Sequence, residues 1–525
     1  MLTVKKKYHP LLLFILGGIL FFSHLNSWSP PTIMEARNFI SGREMVASNE
    51  WLIPTLNEKT RIRKPPLPTW LSAISIKIAG DENDLTALRL PAALAGIIML
   101  FFLYGLVKDV FDNEHLALYA SIILGSFYMI VQESHTGSWD IFCNTFMLGG
   151  VWMLYKGFQS ERSFKYFVLS GLLLGASFLS KGPVSFYTIL LPFVAAYFLS
   201  GHKIRSNKTK GLIVCGLITI IMSSAWPLYL YFKIPEVAKA IANEESDAWI
   251  NRHNRPPWFY LHFMLFTGIW ALTTLFSFIR YKKVFAAYDL KKVKFVLFWF
   301  IITFILLSVV PEKKERYFLP ALLPLAVWVG NYVFFVLRSI HGKQLLTVDK
   351  TFVLVQGIIN TLALVSLPIL LYKFGSERGD ISTTQLTFYS LVLGILLITQ
   401  IYVLARKKRT LIYPISASIM MVFVLTCWPI IPNIGCKNPN FQDLRVVRDI
   451  VELQHFPLYT KAEISPERMW EIGRHINILP EEAQLPDSNV IIISDEPLQL
   501  YKVKKYTFHY NPGKKEDLLY FYVLN

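Results

Sequence analysis

The sequence predicts an all-α polytopic membrane protein carrying a small C-terminal α/β domain, and three observations predict it. Apolar residues make up 53% of the 525 positions, and the mean hydropathy is +0.41, well above ordinary soluble chains. These residues are bunched into runs near the roughly 20 that a helix needs to cross a bilayer. From about Pro432 onward the bunching stops and Lys, Asp and Glu return.

Apolar runs between charged loops predict about thirteen spans, centred near residues 18, 98, 123, 147, 173, 192, 221, 269, 302, 327, 362, 395 and 420. The first, around Leu11–Phe22, follows Lys5-Lys6-Lys7. What comes next is His24, Asn26 and Trp28 rather than a small-residue cleavage site, so it reads as an uncleaved span. Leu67–Ala79 is apolar but short and follows Pro65-Pro66, which suits a helix lying at the interface.

The net charge of +17 does not point to nucleic acid, because most Lys and Arg fall in short loops, where they orient spans and meet anionic lipid. With Lys5-Lys6-Lys7 inside, the same side receives Lys108, Lys156 with Arg162 and Lys165, and Lys203 with Arg205. It also receives the 280–294 cluster, Arg338 with Lys343, and Arg406-Lys407-Lys408-Arg409. Two basic connectors break the rule: the first outer loop, 29–88, and Pro311–Tyr317, PEKKERY. Charge placed against the topological rule needs another purpose, and anion binding supplies one.

The expected division is a transmembrane domain, 1–431, and an extracytoplasmic domain, 432–525. Within the latter, Phe441–Leu453 and Pro466–Ile478 read as helices. Val490–Ser494, Leu498–Val503 and Leu518–Val523 read as strands. Cys143, Cys215, Cys427 and Cys436 form no CxxC pair and read as small buried hydrophobes. His135, His253, His262 and His341 lack metal-ligand spacing. Aromatics read as lipid-facing or interfacial belt, with Trp249 and Trp258 of a long outer loop as the two to test against sugar.

The outer loops gather chemistry. Ser29–Trp70 begins as an amphipathic helix with Ile33, Ala36, Ile40 and Met45 near one face, and supplies Glu35, Arg37, Arg61, Arg63 and Lys64. The loop ESHTGSWD ends in Asp140, Lys181 closes a span, and PEKKERY adds Lys313, Lys314, Arg316 and Tyr317. A few acids amid many cations suit a reaction with a phosphate leaving group: cations neutralise the phosphate while a carboxylate takes a proton. The residues alone allow plainer roles. Glu35 also reads as a surface acid, Asp140 as an acid at a helix start and Lys181 as a snorkelling lysine. Lys64 is the firmest, held on stiff extended backbone before two prolines.

Five pieces occur in order: E-A-R at Glu35–Arg37, R-x-R-K-P-P-L-P-x-W at Arg61–Trp70, R-L-P-A-A at Arg89–Ala93, K-G-P at Lys181–Pro183 and R-Y-x-L-P at Arg316–Pro320. Together they resemble the membrane glycosyltransferases of the GT-C fold, the bacterial lipid A aminoarabinose transferases and protein O-mannosyltransferases above all. The resemblance covers residues 10–340 and extends further by architecture only. It implies a polyprenyl-phosphate sugar donor, a lipid-glycan or protein acceptor, and a bacterial inner membrane with the site on the extracytoplasmic side. It places Glu35 and Asp140 in catalysis and Lys64, Arg61, Arg37, Arg316, Tyr317 and Lys181 near the donor phosphate. The chain departs from the family where an acid pair is usual, since Met34 precedes Glu35. It departs again at Arg63, where the aminoarabinose transferases tend to carry a metal-associated Glu, so no metal and no other cofactor is expected.

Two other classes fit parts of this pattern. A transporter or flippase of an anionic polyprenyl lipid would use the same cations but needs charged or broken helices near the midplane. A non-catalytic assembly factor would suit Met34.

Overall fold

The computed structural model describes residues 5–27, 29–205, 207–251, 254–484, 486, 488–500 and 503–524, with only the backbone described for 245–251, 285 and 287. Trp28, His253 and the side chain of Trp249 therefore lie outside the described residues. The chain forms two compact units that interleave along the sequence. One comprises Met1–Leu25, Ile62–Pro68 and Leu90–Trp428; the other comprises Asn26–Arg61, Thr69–Arg89 and Pro429–Asn525.

The first unit is helical. Among the described residues, eight helices are long and apolar enough to cross a membrane, and nine if a bent pair counts as one span. That pair, Glu114–Gly125 and Tyr128–His135, turns by 65° at its break. The other four predicted centres fall on His9–Phe22, Trp139–Gln159, Phe164–Lys181 and Leu191–Leu199, which are shorter or less apolar. The Glu315–His341 segment is the spine, buried over almost all of its most apolar stretch, whereas Thr209–Lys233 and Thr383–Ala405 are mostly unburied over theirs. Polar side chains tie later spans together. Thr273 donates to Gln356 Oε1 at 2.7 Å, and Ser416 donates to Asn360 Oδ1 at 3.0 Å. In lipid such bonds specify which helices meet, because burial among apolar tails alone does not. Arg280 grips Asp349 with two bonds of 2.8 and 2.7 Å.

The second unit joins the first outer loop to the C-terminal segment. Its five-stranded sheet runs in the order Ile476–Ile478, Leu458–Thr460, Val490–Ser494, Leu519–Leu524, Lys504–Phe508. The first three are parallel neighbours and the last three antiparallel. Ala36, Phe39 and Ile40 of the Ile33–Ser48 helix share one core with Trp470, Ile491 and Phe521. The helix thus hides its apolar face against protein. Asn57 locks the loop to the sheet, donating to Ile476 O at 2.7 Å and accepting from Ile476 N at 3.0 Å.

Three local readings change. Phe441–Leu453 forms two 3₁₀ turns, Leu444–Asp449 and Val451–Leu453, instead of one helix. The predicted Pro466–Ile478 helix stops at Ile472, because Gly473 takes φ 84° and the chain re-enters the sheet. Leu498–Leu500 has no strand; the strand is Lys504–Phe508, and positions 501–502 lie outside the described residues.

Glu471 is buried in this unit, and burial, then the charge of Asp443, push its carboxyl up to about 8. A carboxyl raised in the folded state favours folding below its ordinary pKa, and that stability is lost as pH rises through the folded value. Backbone hydrogen-exchange protection of Val490–Ser494 should therefore fall as pH rises from 4.5 to about 8, by up to roughly tenfold per unit, and Glu471→Gln should flatten the dependence. Equal slopes in both proteins would mean that Glu471 does not control it.

Candidate active site

Three helix ends of the first unit converge on one carboxylate. Asp140 starts the Trp139–Gln159 helix and is only 3% exposed. Lys181, the last residue of the Phe164–Lys181 helix, pairs with its Oδ1. Arg316, just before the Leu319–His341 helix, sets Nε 3.4 Å from its Oδ2. Tyr317 completes the wall, its ring 4.4 Å below the Lys181 ammonium. Lys64 adds a further positive charge acting on Asp140.

The K-G-P sequence explains how Lys181 is held. Gly182 takes φ 80° and ψ −155°, a region essentially reserved for glycine, and no atom crowds the place of a Cβ there. The glycine is needed for conformation and not for space. It ends the helix sharply enough to leave the lysine at its rim.

A second acid stands beside Asp140. Glu133, 5% exposed, accepts from Ser138 Oγ at 3.4 Å and interacts electrostatically with Asp140, Arg316 and Lys181. Sequence reading passed over it because it opens a polar loop motif. In the structure that stretch continues the Tyr128–His135 helix. The only signal was that two acids, Glu133 and Asp140, bracket one short loop between apolar runs.

The second unit holds Glu35, Arg37 and Arg61. Glu35 is fully buried and bonded on both oxygens. Its Oε1 receives Arg89 Nε at 2.8 Å; its Oε2 receives Thr32 N at 3.0 Å and Thr32 Oγ1 at 3.1 Å. Thr32 returns the favour to Glu35 N, closing a capping box at the start of Ile33–Ser48. Arg89 also donates to Ser29 O at 2.9 Å. Arg37 lies 3.9 Å from Met34 Sδ, and Arg61 ties its backbone N–H to Pro54 O at 2.8 Å. Arg63, in the first unit, pairs with Glu244. An arginine in an ion pair is no metal ligand, and no group of three or more His, Cys, Asp or Glu gathers for a metal among the described residues.

This arrangement can hold a phosphate among cations while keeping a carboxylate beside it, and it sits on a recognisable frame. The fold is that of the GT-C membrane glycosyltransferases. The structure superposes on ArnT from Cupriavidus metallidurans bound to undecaprenyl phosphate with a TM-score of 0.71 at 14% identity, covering 98% of this chain and 97% of that one. The archaeal oligosaccharyltransferase AglB from Archaeoglobus fulgidus, with dolichol-phosphate and an inhibitory peptide, gives 0.55 at 13% identity, covering 94% and 70%.

Residues 63–229 match the family described as dolichyl-phosphate-mannose-protein mannosyltransferase. The chain is 24% identical over 359 residues to an undecaprenyl phosphate-alpha-4-amino-4-deoxy-L-arabinose arabinosyl transferase of Pseudomonas fluorescens. That alignment covers 65% of this chain and 59% of the relative's length.

Proposed function

We propose that this multi-pass membrane protein is an inverting glycosyltransferase that takes a sugar from a polyprenyl-phosphate donor. The transfer takes place at the outer face of a bacterial inner membrane, onto a lipid-glycan or protein hydroxyl. One observation carries the reading: a buried carboxylate, Asp140, clasped by Lys181 and Arg316 with Lys64 acting on it, at the ends of spans in a GT-C fold. The lipid-phosphate donors of the relatives support the lipid phosphate here, and the bias of Lys and Arg among the loops, which predicts these helix ends on the outer side, supports that compartment.

The chemistry is one displacement. Asp140 takes the proton from the attacking acceptor group, whose lone pair forms the bond to the anomeric carbon. The bond from that carbon to the phosphate oxygen breaks, and its electron pair leaves with the lipid phosphate. Backside attack inverts the carbon. Lys64, Lys181 and Arg316 neutralise the departing phosphate, and their fixed positions avoid reorganisation during the step. Tyr317 covers Lys181, and Glu133 balances the excess of positive charge before donor arrives. Parts for Arg37 and Arg61 at the phosphate rest on the resemblance. No step requires a metal. The flippase reading is the weaker one, because these charges collect at helix ends and not along span interiors.

Mass spectrometry of glycolipids and glycoproteins from cells with and without the chain tests this directly: one sugar-bearing product should vanish. An unchanged profile overturns the proposal. Lys64→Ala should weaken binding of a polyprenyl-phosphate donor about ten- to a hundredfold, the worth of a charge-assisted contact of roughly 1.5–3 kcal/mol. Normal donor affinity in that variant would leave Lys64 a headgroup or topological charge.

A further inference from the structure

We propose that the first unit carries a binding site for the phosphate headgroup of an anionic lipid, far from the acid–cation cluster. The site is a cavity of about 240 Å³ where Thr347–Leu371 begins, Thr383–Ala405 ends and Ile412–Cys427 begins. Three cations line it: Lys350, Lys407 and Arg409. Its floor is apolar, with Val403 and Ile412 buried and Leu354 exposed beside them.

Among the described residues no carboxylate lines this cavity. The acid next to Lys350 in sequence, Asp349, is fully buried and already bonded twice to Arg280. Three cations converging without a counter-charge repel one another, and an anion relieves that repulsion. Lys407 also holds a left-handed backbone, φ 53°, a conformation strained for a side-chain-bearing residue. The chain thus keeps a lysine where glycine or asparagine would fit more easily.

The apolar floor selects among phosphate sources. A free phosphate gains nothing from Leu354 and Val403, whereas a phospholipid sets its phosphate on the cations and its first methylenes on the floor. Basic pockets between span ends are the usual form of such sites. A larger basic cleft of about 1010 Å³ lies between Glu161–Lys165 and Asn207–Gly211, but it includes the carboxylate of Glu161, and its Lys208 is already spent on Ser160 O and Ser163 Oγ. The smaller cavity is the better anion site.

Its position separates it from the proposed reaction. Arg316 precedes the Leu319–His341 helix, which is about 34 Å long at 1.5 Å per residue, and the cavity's Thr347 and Lys350 follow that helix's other end in the chain. The lipid is therefore an element of this protein's anchoring in the opposite leaflet.

The test uses the full-length protein in detergent, with native mass spectrometry and thermal midpoints. The probes are phosphatidylglycerol, phosphatidylcholine and inorganic phosphate. Phosphatidylglycerol should bind and raise the midpoint, and K350Q/K407Q/R409Q should lower its affinity at least tenfold. K350R/K407R should retain it, and glycosyl transfer should stay at the wild-type level in both variants. Should the triple variant misfold, K350Q alone, at an exposed position, should weaken phosphatidylglycerol severalfold. Three results would overturn the site: unchanged phosphatidylglycerol affinity in a folded charge-removing variant, phosphatidylcholine binding equally well, or inorganic phosphate reproducing the whole effect.

Discussion

Replacing Asp140 with Asn should cut turnover by about 10²-fold or more, the range for a lost general base, without weakening the donor. The substitution keeps size and hydrogen bonding but removes basicity. It also removes the charge that Lys181 and Arg316 now face. Glu133 still acts on those cations, but with the Asp140 charge gone the negatively charged donor phosphate should bind as well as before or more tightly. The signature is a split: kcat falls while donor affinity holds or rises. A purely structural Asp140 would lower both together, along with the amount of folded protein. Single-turnover rates at saturating donor, with donor binding measured in parallel, separate the cases. Glu133→Gln should have a smaller effect on rate, since Lys181 and Arg316 pair directly with Asp140; a fall as deep as that of Asp140→Asn would make the two acids share the proton.

Much of this cluster was legible in the sequence, for a physical reason. Charges beside long apolar runs are costly unless they have a purpose, so Asp140, Lys181 and Arg316 stood out at the ends of their runs. Their convergence was not legible, because 41 residues separate Asp140 from Lys181 and nothing local encodes which helix ends meet. The spans were readable from composition, yet the break before Tyr128 was not: no proline marks it, and the Glu114–Gly125 helix simply ends at Ser126. The first outer loop shows a different limit. Its apolar stripe was clear, but a stripe does not name its partner. Phe39 faces Trp470, with ring centroids 6.1 Å apart, where a membrane surface would have satisfied the same pattern.

The larger expected loss of stability belongs to Glu35→Gln. Sequence pattern and resemblance put this residue in catalysis; the structure places it in a fully buried ion pair with Arg89. Gln retains the capping bonds to Thr32, so the helix start should survive. It removes the carboxylate charge that Arg89 Nε meets at 2.8 Å in this buried pair, and breaking such a pair costs about 3–5 kcal/mol. Arg89→Ala should cost a similar amount by exposing the opposite imbalance. Removing both charges, as in Glu35→Gln with Arg89→Met, should restore much of the loss, because the desolvation of two ions disappears with their attraction. Hydrogen exchange across Ile33–Ser48, with thermal midpoints, gives the stability side of the comparison. Activity per folded molecule gives the other. If Glu35 is a structural ion, turnover should track the folded fraction in all three variants and return in the double one. A folded Glu35→Gln protein whose turnover is nonetheless down about a hundredfold, unrescued by the second change, would instead make Glu35 the base and leave Asp140 as the group that orients the cations.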